Sequence, residues 1–419
     1  MTDDLMKSSG SGDAGNSTHA DEQRLYPKVR FRGFDEPWKN KKFLTFSSKI
    51  TKNSTSDDID FPRIEFENIV SGEGKLAQNR SKLNHIKSGI KFDKGDILFG
   101  KLRPYLKNWW LAEFPGVAVG DFWVIRAKDN RYFLYYLIQA PLFEKVSNYT
   151  TGTKMPRSDW NYVSNTFFKL PKIDEQEKIG RILDKVDSLL SLQQRKLELE
   201  KQLKFFLFQN AIPSKEAVIF KPKIRFREFQ DKWKYAKLSE IYNTDCSGGT
   251  PSVKNKTFYG GNIPFLTISD LNNKKIYKTQ KTLSKKGLEN SSAKLVPAGS
   301  ISLAMYASVG KIGILSKEMA TSQAFFNMTF DDDEKRDFIY IILEKANFDK
   351  EWIRLISTGT QNNLNAKKIR NFHIVFPTYK ALKGLNKLFC NIDTDIDIQY
   401  KVIVTTNQLK QFLLQNLFI

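Results

Sequence analysis

The chain has 419 residues, 40% of them hydrophobic, and carries 67 Lys and Arg against 46 Asp and Glu, a formal charge of +21. That is room for two or three domains with proper cores, and a cation surplus that expects a polyanion, nucleic acid before membrane, although a basic surface also serves solubility alone. Two cysteines, Cys246 and Cys390, exclude a disulfide framework and, with only three histidines, a zinc site; no apolar run approaches the ~20 residues of a membrane span, so a reducing cytoplasm is expected.

Residues 1–22 hold five acids (Asp3, Asp4, Asp13, Asp21, Glu22) and one base (Lys7) among Ser and Gly, so this tail carries −4 and the remainder +25. It has neither a basic start nor a hydrophobic stretch and is expected to be disordered rather than a signal peptide.

The segment PKVRFRGFDEPWK at 27–39 returns as PKIRFREFQDKWK at 222–234, with eight of thirteen positions identical. Between residues 23 and 173 the text has short strand-like runs (ILFG, VAVGDFWVI, TFFKL). GDILFGKLRPYLKNWW at 95–110 satisfies most of a phosphate-binding loop, but Leu102 stands where Ser or Thr is needed and no helix pattern follows. A strand ending at Gly100 is the better expectation. In an extended continuation Lys101, Arg103, Tyr105 and Lys107 would share one face, cations interleaved with an aromatic, as on a phosphate track; a guarded basic edge strand has the same pattern. Near the end of this region the loop YTTGTKMPRSD at 149–159 offers Thr153 and Lys154 as further contacts.

From 174 to 212, apolar residues recur at spacings of three and four: Ile179, Leu183, Val186, Leu190 and Leu197. Pro171 precedes the run and Pro213 follows it, marking a long amphipathic or coiled-coil helix. Adding 206 lands on a second such seam at Leu385, Phe389, Ile392, Ile396 and Ile403, within 377–419, and QLKFFLFQN at 202–210 reappears as QLKQFLLQN at 408–416. Each helix of about 38 residues would be about 57 Å long. The ten or so residues after the first reach at most ~36 Å. The two therefore pair antiparallel, which places the globular parts at opposite ends.

The second globular part, 213–376, carries SGGTPS and YGGNIPFLTISDL within 247–271, VPAGSISLAMYASVGKIGI at 296–314 and TGTQNNLNAKK at 358–368. Thr250 and Tyr259 sit in its Gly/Pro loops, and Tyr306, Ser308 and Lys311 near a strand–turn–strand tip. Thr360 with the amides Gln361, Asn362 and Asn363 aligns on the first copy's T-G-T loop. Short amides read adenine edges, and they also simply make turns. No N/D-P-P-Y/F methyltransferase segment or glycine-rich cofactor loop occurs; the nuclease-like Glu73-Gly74-Lys75 lacks a defined acidic partner among Asp57, Asp58 and Asp60. This favours a binding protein over a self-contained DNA methyltransferase or nuclease, with a coiled-coil protein scaffold as a third possibility.

These stretches, with LPKIDEQEKIGRILDKVDSLL at 170–190, resemble the specificity subunits of Type I restriction-modification systems, over nearly all of the chain after the tail. The resemblance implies an α+β fold: two target-recognition domains of mixed β/α structure, separated by an antiparallel pair of long helices in a pseudo-twofold repeat. It implies double-stranded DNA as ligand, two methyltransferase subunits and restriction/translocase subunits as partners, and no membrane. It places no catalytic residue or metal in this chain; S-adenosylmethionine, Mg²⁺ and ATP would serve the partners. One departure stands out. The P-x-x-x-E-Q start of the first helix (Pro171, Glu175, Gln176) has no equivalent after Pro377, where Ala381 and Leu382 occupy the E-Q positions. Strictly symmetric docking of partners is therefore not expected.

Overall fold

A computed structural model of the chain describes residues 5–7, 25–55, 58, 60–77, 87–149, 155–215, 220–229, 232–356 and 364–419. It divides into two compact units: residues 1–195 with 400–419, and residues 196–399. The division cuts both long helices, Ile173–Asn210 and Tyr379–Asn416, so that each unit holds a piece of each. The first helix starts one residue before the expected 174–212 and ends two residues short of it, and the second lies within the expected 377–419. Ala211 and Ile212 leave the helix as a buried turn just before Pro213, and Leu417 and Phe418 leave it to enter the core of the first unit. In the tail, Leu5–Lys7 pairs as a short antiparallel strand with Val29–Phe31. That ladder needs only an open strand edge, which the acidic composition of the tail does not preclude.

The first unit has a four-stranded antiparallel sheet, in the order Trp109–Leu111, Ile97–Gly100, Phe122–Ala127, Ser47–Ile50. A smaller sheet sets Gly116–Ala118 parallel to Arg63–Ile64 and antiparallel to Ile90–Phe92. The second unit repeats both. Its larger sheet runs Thr244–Ser247, Phe325–Thr329, Ile301–Ala304, Ile312–Leu315, Lys275–Ile276, and its smaller one sets Met319–Thr321 parallel to Tyr259–Leu266 and antiparallel to Lys294–Val296. The repeated 13-residue segment also folds twice alike. Trp38 meets Phe133 edge-on with ring centroids 6.4 Å apart, and Trp233 meets Phe338 in the same way at 5.9 Å.

Within each unit the helices pair as the shared seam requires. In the second, Lys204 bonds Asp393 at 2.6 Å and Phe208 stacks on Phe389 at 5.1 Å. Four residues forward on one helix are thus four back on the other, and the pairing is antiparallel. In the first unit Asp187 and Lys410 meet at 2.7 Å, while Leu183, Val186 and Leu190 share a core with Leu413, Leu414 and Leu417. The two ion pairs are images of each other under the 206-residue offset. Ile179, Leu197, Leu385 and Ile392 are buried, and Ile396 and Ile403 half-buried.

The departure at the start of the second helix has a structural consequence. In the first copy Glu175 is buried and takes Arg30 through two bonds of 2.8 Å, and Lys178 lies over the Phe34 ring. In the second, Ala381 replaces the glutamate and Gly384 the lysine. Phe226 and Phe229 come so near Gly384 that a Cβ there would stand 2.9 Å from Phe229, and a cavity of about 110 Å³ opens among Leu207, Trp233, Leu385 and Ala381, with Arg225 on its wall. The first turn of this helix has no acid, whereas the other has Asp174 and Glu175. Ala381→Glu should fill that space and complement the helix dipole, raising stability by about 1 kcal/mol; thermal unfolding measures it, and a lowered midpoint would contradict it.

Candidate nucleic-acid interface

In the first unit the expected extended face does not form. Pro104 fixes its own φ and starts a single 3₁₀ turn, Pro104–Leu106, between two residues in the left-handed region, Arg103 at φ 48° and Lys107 at φ 57°. The four side chains therefore do not alternate along a strand. Lys107 is drawn to Glu144 at 2.9 Å and Lys101 to Asp121 at 3.6 Å. Arg103 and Tyr105 remain exposed at the tip with Leu106, and Arg103 has no ion pair among the described residues. Non-glycine residues held at positive φ cost of order 1–3 kcal/mol each and cluster where a loop must keep one shape.

Backbone bonds lash a second loop to this tip. Arg103 N donates to Pro156 O at 2.8 Å and Ser158 N to Lys101 O at 2.9 Å. They bring up Met155, 63% exposed, and Arg157, whose guanidinium bonds Asp121 at 2.9 Å. Beside them Tyr149 and Tyr162, both exposed, stack with centroids 4.3 Å apart. Exposed aromatics and cations on one loop cluster suit sugar, phosphate and base edges. Sequence reading missed Met155, Arg157, Tyr149 and Tyr162; their one signal was position, on or just beyond the T-G-T loop. Thr153 and Lys154 lie outside the described residues.

The second unit builds the same tip from other residues. The turn between Ile301–Ala304 and Ile312–Leu315 holds Ala307 at φ 56°, with Tyr306 and Lys311 exposed and Lys311 N bonded to Ser308 O at 3.1 Å. Leu364 N bonds Met305 O at 3.1 Å, as Ser158 bonds Lys101 in the first copy. Thr360, Gln361, Asn362 and Asn363, just before Leu364, lie outside the described residues. Thr250 is exposed and its hydroxyl bonds Gln323, one residue before Ala324, which stands where the first copy has Asp121: Met305 N bonds Ala324 O as Lys101 N bonds Asp121 O. Tyr259 is spent internally: it is only partly exposed, and its hydroxyl donates to Pro251 O at 2.6 Å. The expected residues Tyr306, Ser308 and Lys311 are thus together, Thr250 is held by Gln323, and Tyr259 is structural.

The nuclease-like tripeptide is also structural. Lys75 donates to Gln194 at 2.5 Å, and Gly74 lies where a Cβ would strike the Tyr135 hydroxyl. Asp58 is taken by Lys91 at 2.5 Å, and Lys91 and the Thr55 amide hold its pKa below the ordinary carboxylate value. Among the described residues no helix is long and apolar enough to cross a membrane.

Two stretches, residues 38–201 and 230–399, match the family model described as the Type I restriction modification DNA specificity domain. The HindI specificity subunit of Haemophilus influenzae is 35% identical over 163 residues, 38% of this chain and 35% of that protein. The MjaIX specificity subunit of Methanocaldococcus jannaschii is 26% identical over 191 residues, 45% of this chain and 44% of that protein. The chain thus spans about a third to a half of the length of these curated relatives. Among solved structures, the S subunit of a Type I restriction-modification system from M. genitalium superposes with a TM-score of 0.62 over 94% of this chain and 99% of that one at 15% identity. A chain from a structure on complex assembly and conformational transition of the type I R-M system gives 0.55 over 91% and 97% at 20%.

Proposed function

We propose that this chain, which belongs to the family of Type I restriction-modification DNA specificity domains and carries two of them, is the non-catalytic subunit that selects the DNA target of such a system. The observation that carries the reading is the duplicated tip with unlike residues: Arg103 and Asp121 in one copy stand where the other has Ala307 and Ala324. Same scaffold and different side chains mean two half-sites of different sequence, a bipartite asymmetric target. Cations fix each domain on phosphates, and hydroxyls, amides and Arg at the tips meet base edges in the major groove. The helix pair sets the gap, in the manner of dimeric readers whose half-sites lie about a helical turn, ~34–36 Å, apart.

Two methyltransferase subunits would dock on the helices. Supporting this, Leu203 and Phe206 on the first helix are 48% and 47% exposed, and their images Leu409 and Phe412 on the second are 47% and 48% exposed. A duplicated apolar pair suits two copies of one partner. S-adenosylmethionine, Mg²⁺ and ATP would be bound by methyltransferase and restriction/translocase subunits in the cytoplasm of a bacterial or archaeal cell.

The purified chain alone, given DNA, Mg²⁺ and S-adenosylmethionine, should neither cut nor methylate; either activity would contradict the reading. In the assembled complex Arg103→Ala should reduce the slope of log K against log salt by about 1, the loss of one phosphate contact, while Lys107→Ala, already neutralised by Glu144, should leave it nearly unchanged. Equal slopes for wild type and Arg103→Ala would remove Arg103 from the interface.

A further inference from the structure

The two domains are about equally basic, 27 Lys and Arg against 15 Asp and Glu in residues 23–173 and 27 against 16 in residues 213–376, but they place that charge differently. In each, the chain leaves the larger sheet after its first edge strand, contributes strands to the smaller sheet, and goes on into Ile97–Gly100 or Ile301–Ala304; in the second copy Lys275–Ile276 also pairs at the far edge of the larger sheet on the way, and the smaller sheets are completed later by Gly116–Ala118 and Met319–Thr321. In the first copy this insert, residues 51–92, has seven Lys and Arg against six Asp and Glu. Its cations are partly consumed internally: Lys87 bonds Glu65 at 2.6 Å and Lys91 bonds Asp58 at 2.5 Å. In the second copy the insert, residues 248–296, has nine lysines and only two carboxylates, Asp270 and Glu289. Lys274 pairs with Asp393 and Lys285 weakly with Glu289. The other seven, from Lys254 to Lys294, are exposed and have no ion pair among the described residues. The short helix Lys285–Glu289 packs on the turn Lys256–Phe258 and on the strand Lys281–Leu283, which gathers Lys256, Lys281 and Lys286 on one small body.

Like charges collected without counter-charges repel one another, and no fold needs them there. A polyanion relieves that repulsion, and a phosphodiester backbone does so by releasing its condensed counterions. We infer that the insert 248–296 is the electrostatic anchor of the molecule. It grips the phosphate backbone beside the second half-site independently of sequence, supplies more of the salt-dependent affinity than the nearly neutral insert of the first domain, and engages DNA before the first domain tests its half-site. This rests on the DNA-reading function proposed above and adds an unequal division of labour to it.

The test uses the full chain in complex with its methyltransferase partner and a duplex bearing the methylated target. A variant with Lys256, Lys275, Lys281 and Lys286 changed to Gln should lower the slope of log K against log salt by about 3. Its association rate at low salt should fall and its methylated motif should stay the same. Lys52→Gln with Lys87→Gln in the first domain should move the slope by less than about 1. Replacing the four lysines by Arg should keep the wild-type slope, which separates lost charge from lost folding. An unchanged slope in the Gln variant, or an equal loss from the first-domain pair, would overturn the anchor; so would an altered half-site, which would make these lysines readers of sequence. A wild-type complex with no preference for any motif would instead defeat the underlying DNA-reading proposal.

Discussion

Lys204→Ala is expected to destabilise the second unit by about 3–5 kcal/mol, the cost of removing one partner from a buried charge cluster. The side chain is 13% exposed, and its ammonium lies 2.5 Å from Glu344 and 2.6 Å from Asp393. Burial works against its charge, but the two carboxylates outweigh that and raise its pKa. Glu344 is also raised, first by burial and further by Asp393, with Lys204 pulling the other way. Without Lys204, Glu344 rises further above its ordinary value of 4.5. A carboxyl raised in the folded state favours folding at pH below its unfolded value, and that contribution is lost as pH rises through the folded one. The deficit of Lys204→Ala should therefore be largest near neutral pH and shrink toward pH 4.5. Lys410→Ala in the first unit, where Asp187 is the one ion-pair partner among the described residues, should cost less. Denaturant unfolding at two pH values checks both signs; a loss under about 1 kcal/mol at neutral pH would mean the cluster is not a closed charge set.

Inserting four residues in both long helices, between Arg195 and Lys196 and between Gln399 and Tyr400, should lengthen the gap of the DNA target by about two base pairs. Four helical residues add about 6 Å, and base pairs rise by about 3.4 Å. Those positions are where the chain passes from one unit to the other, so neither unit loses its own packing. Both half-sites should keep their sequence, and methylation at the original spacing should fall by at least about 10³-fold, the lower range of specific over non-specific binding. Matching insertions matter: an insertion in one helix alone would put Asp187 or Lys204 out of register with its partner. Altered half-sites, or an unchanged gap, would mean the helix pair is not a ruler.

The helix pair was the most legible part of the chain, because its signal is written twice. Any seam of Leu and Ile suggests a helix, but the same seam 206 residues later, with Lys204 falling on Lys410, points to a pair, and the short linker after the first helix gives its direction. The two-sheet domains were legible only as short strands. Setting Gly116–Ala118 beside both Arg63–Ile64 and Ile90–Phe92 depends on pairings between distant residues that no local pattern encodes. At the tips, alternation across Lys101, Arg103, Tyr105 and Lys107 suggested a strand. Seven residues carry too little periodicity to outweigh one proline, and Pro104 made a turn of them. Tyr259 looked available because tyrosines in Gly/Pro loops often are; only the fold shows its hydroxyl on Pro251. The charge of the second insert was present in the sequence all along. Its meaning depends on seeing that the first insert, with the same topology, has acids to answer its bases.

The most direct measurement is the methylated motif in DNA from cells that express this chain together with a Type I methyltransferase partner. Two short half-sites of unlike sequence, separated by a constant number of unread pairs, are the predicted result. One contiguous or palindromic motif, or the same motif whether or not the chain is expressed, would contradict the account.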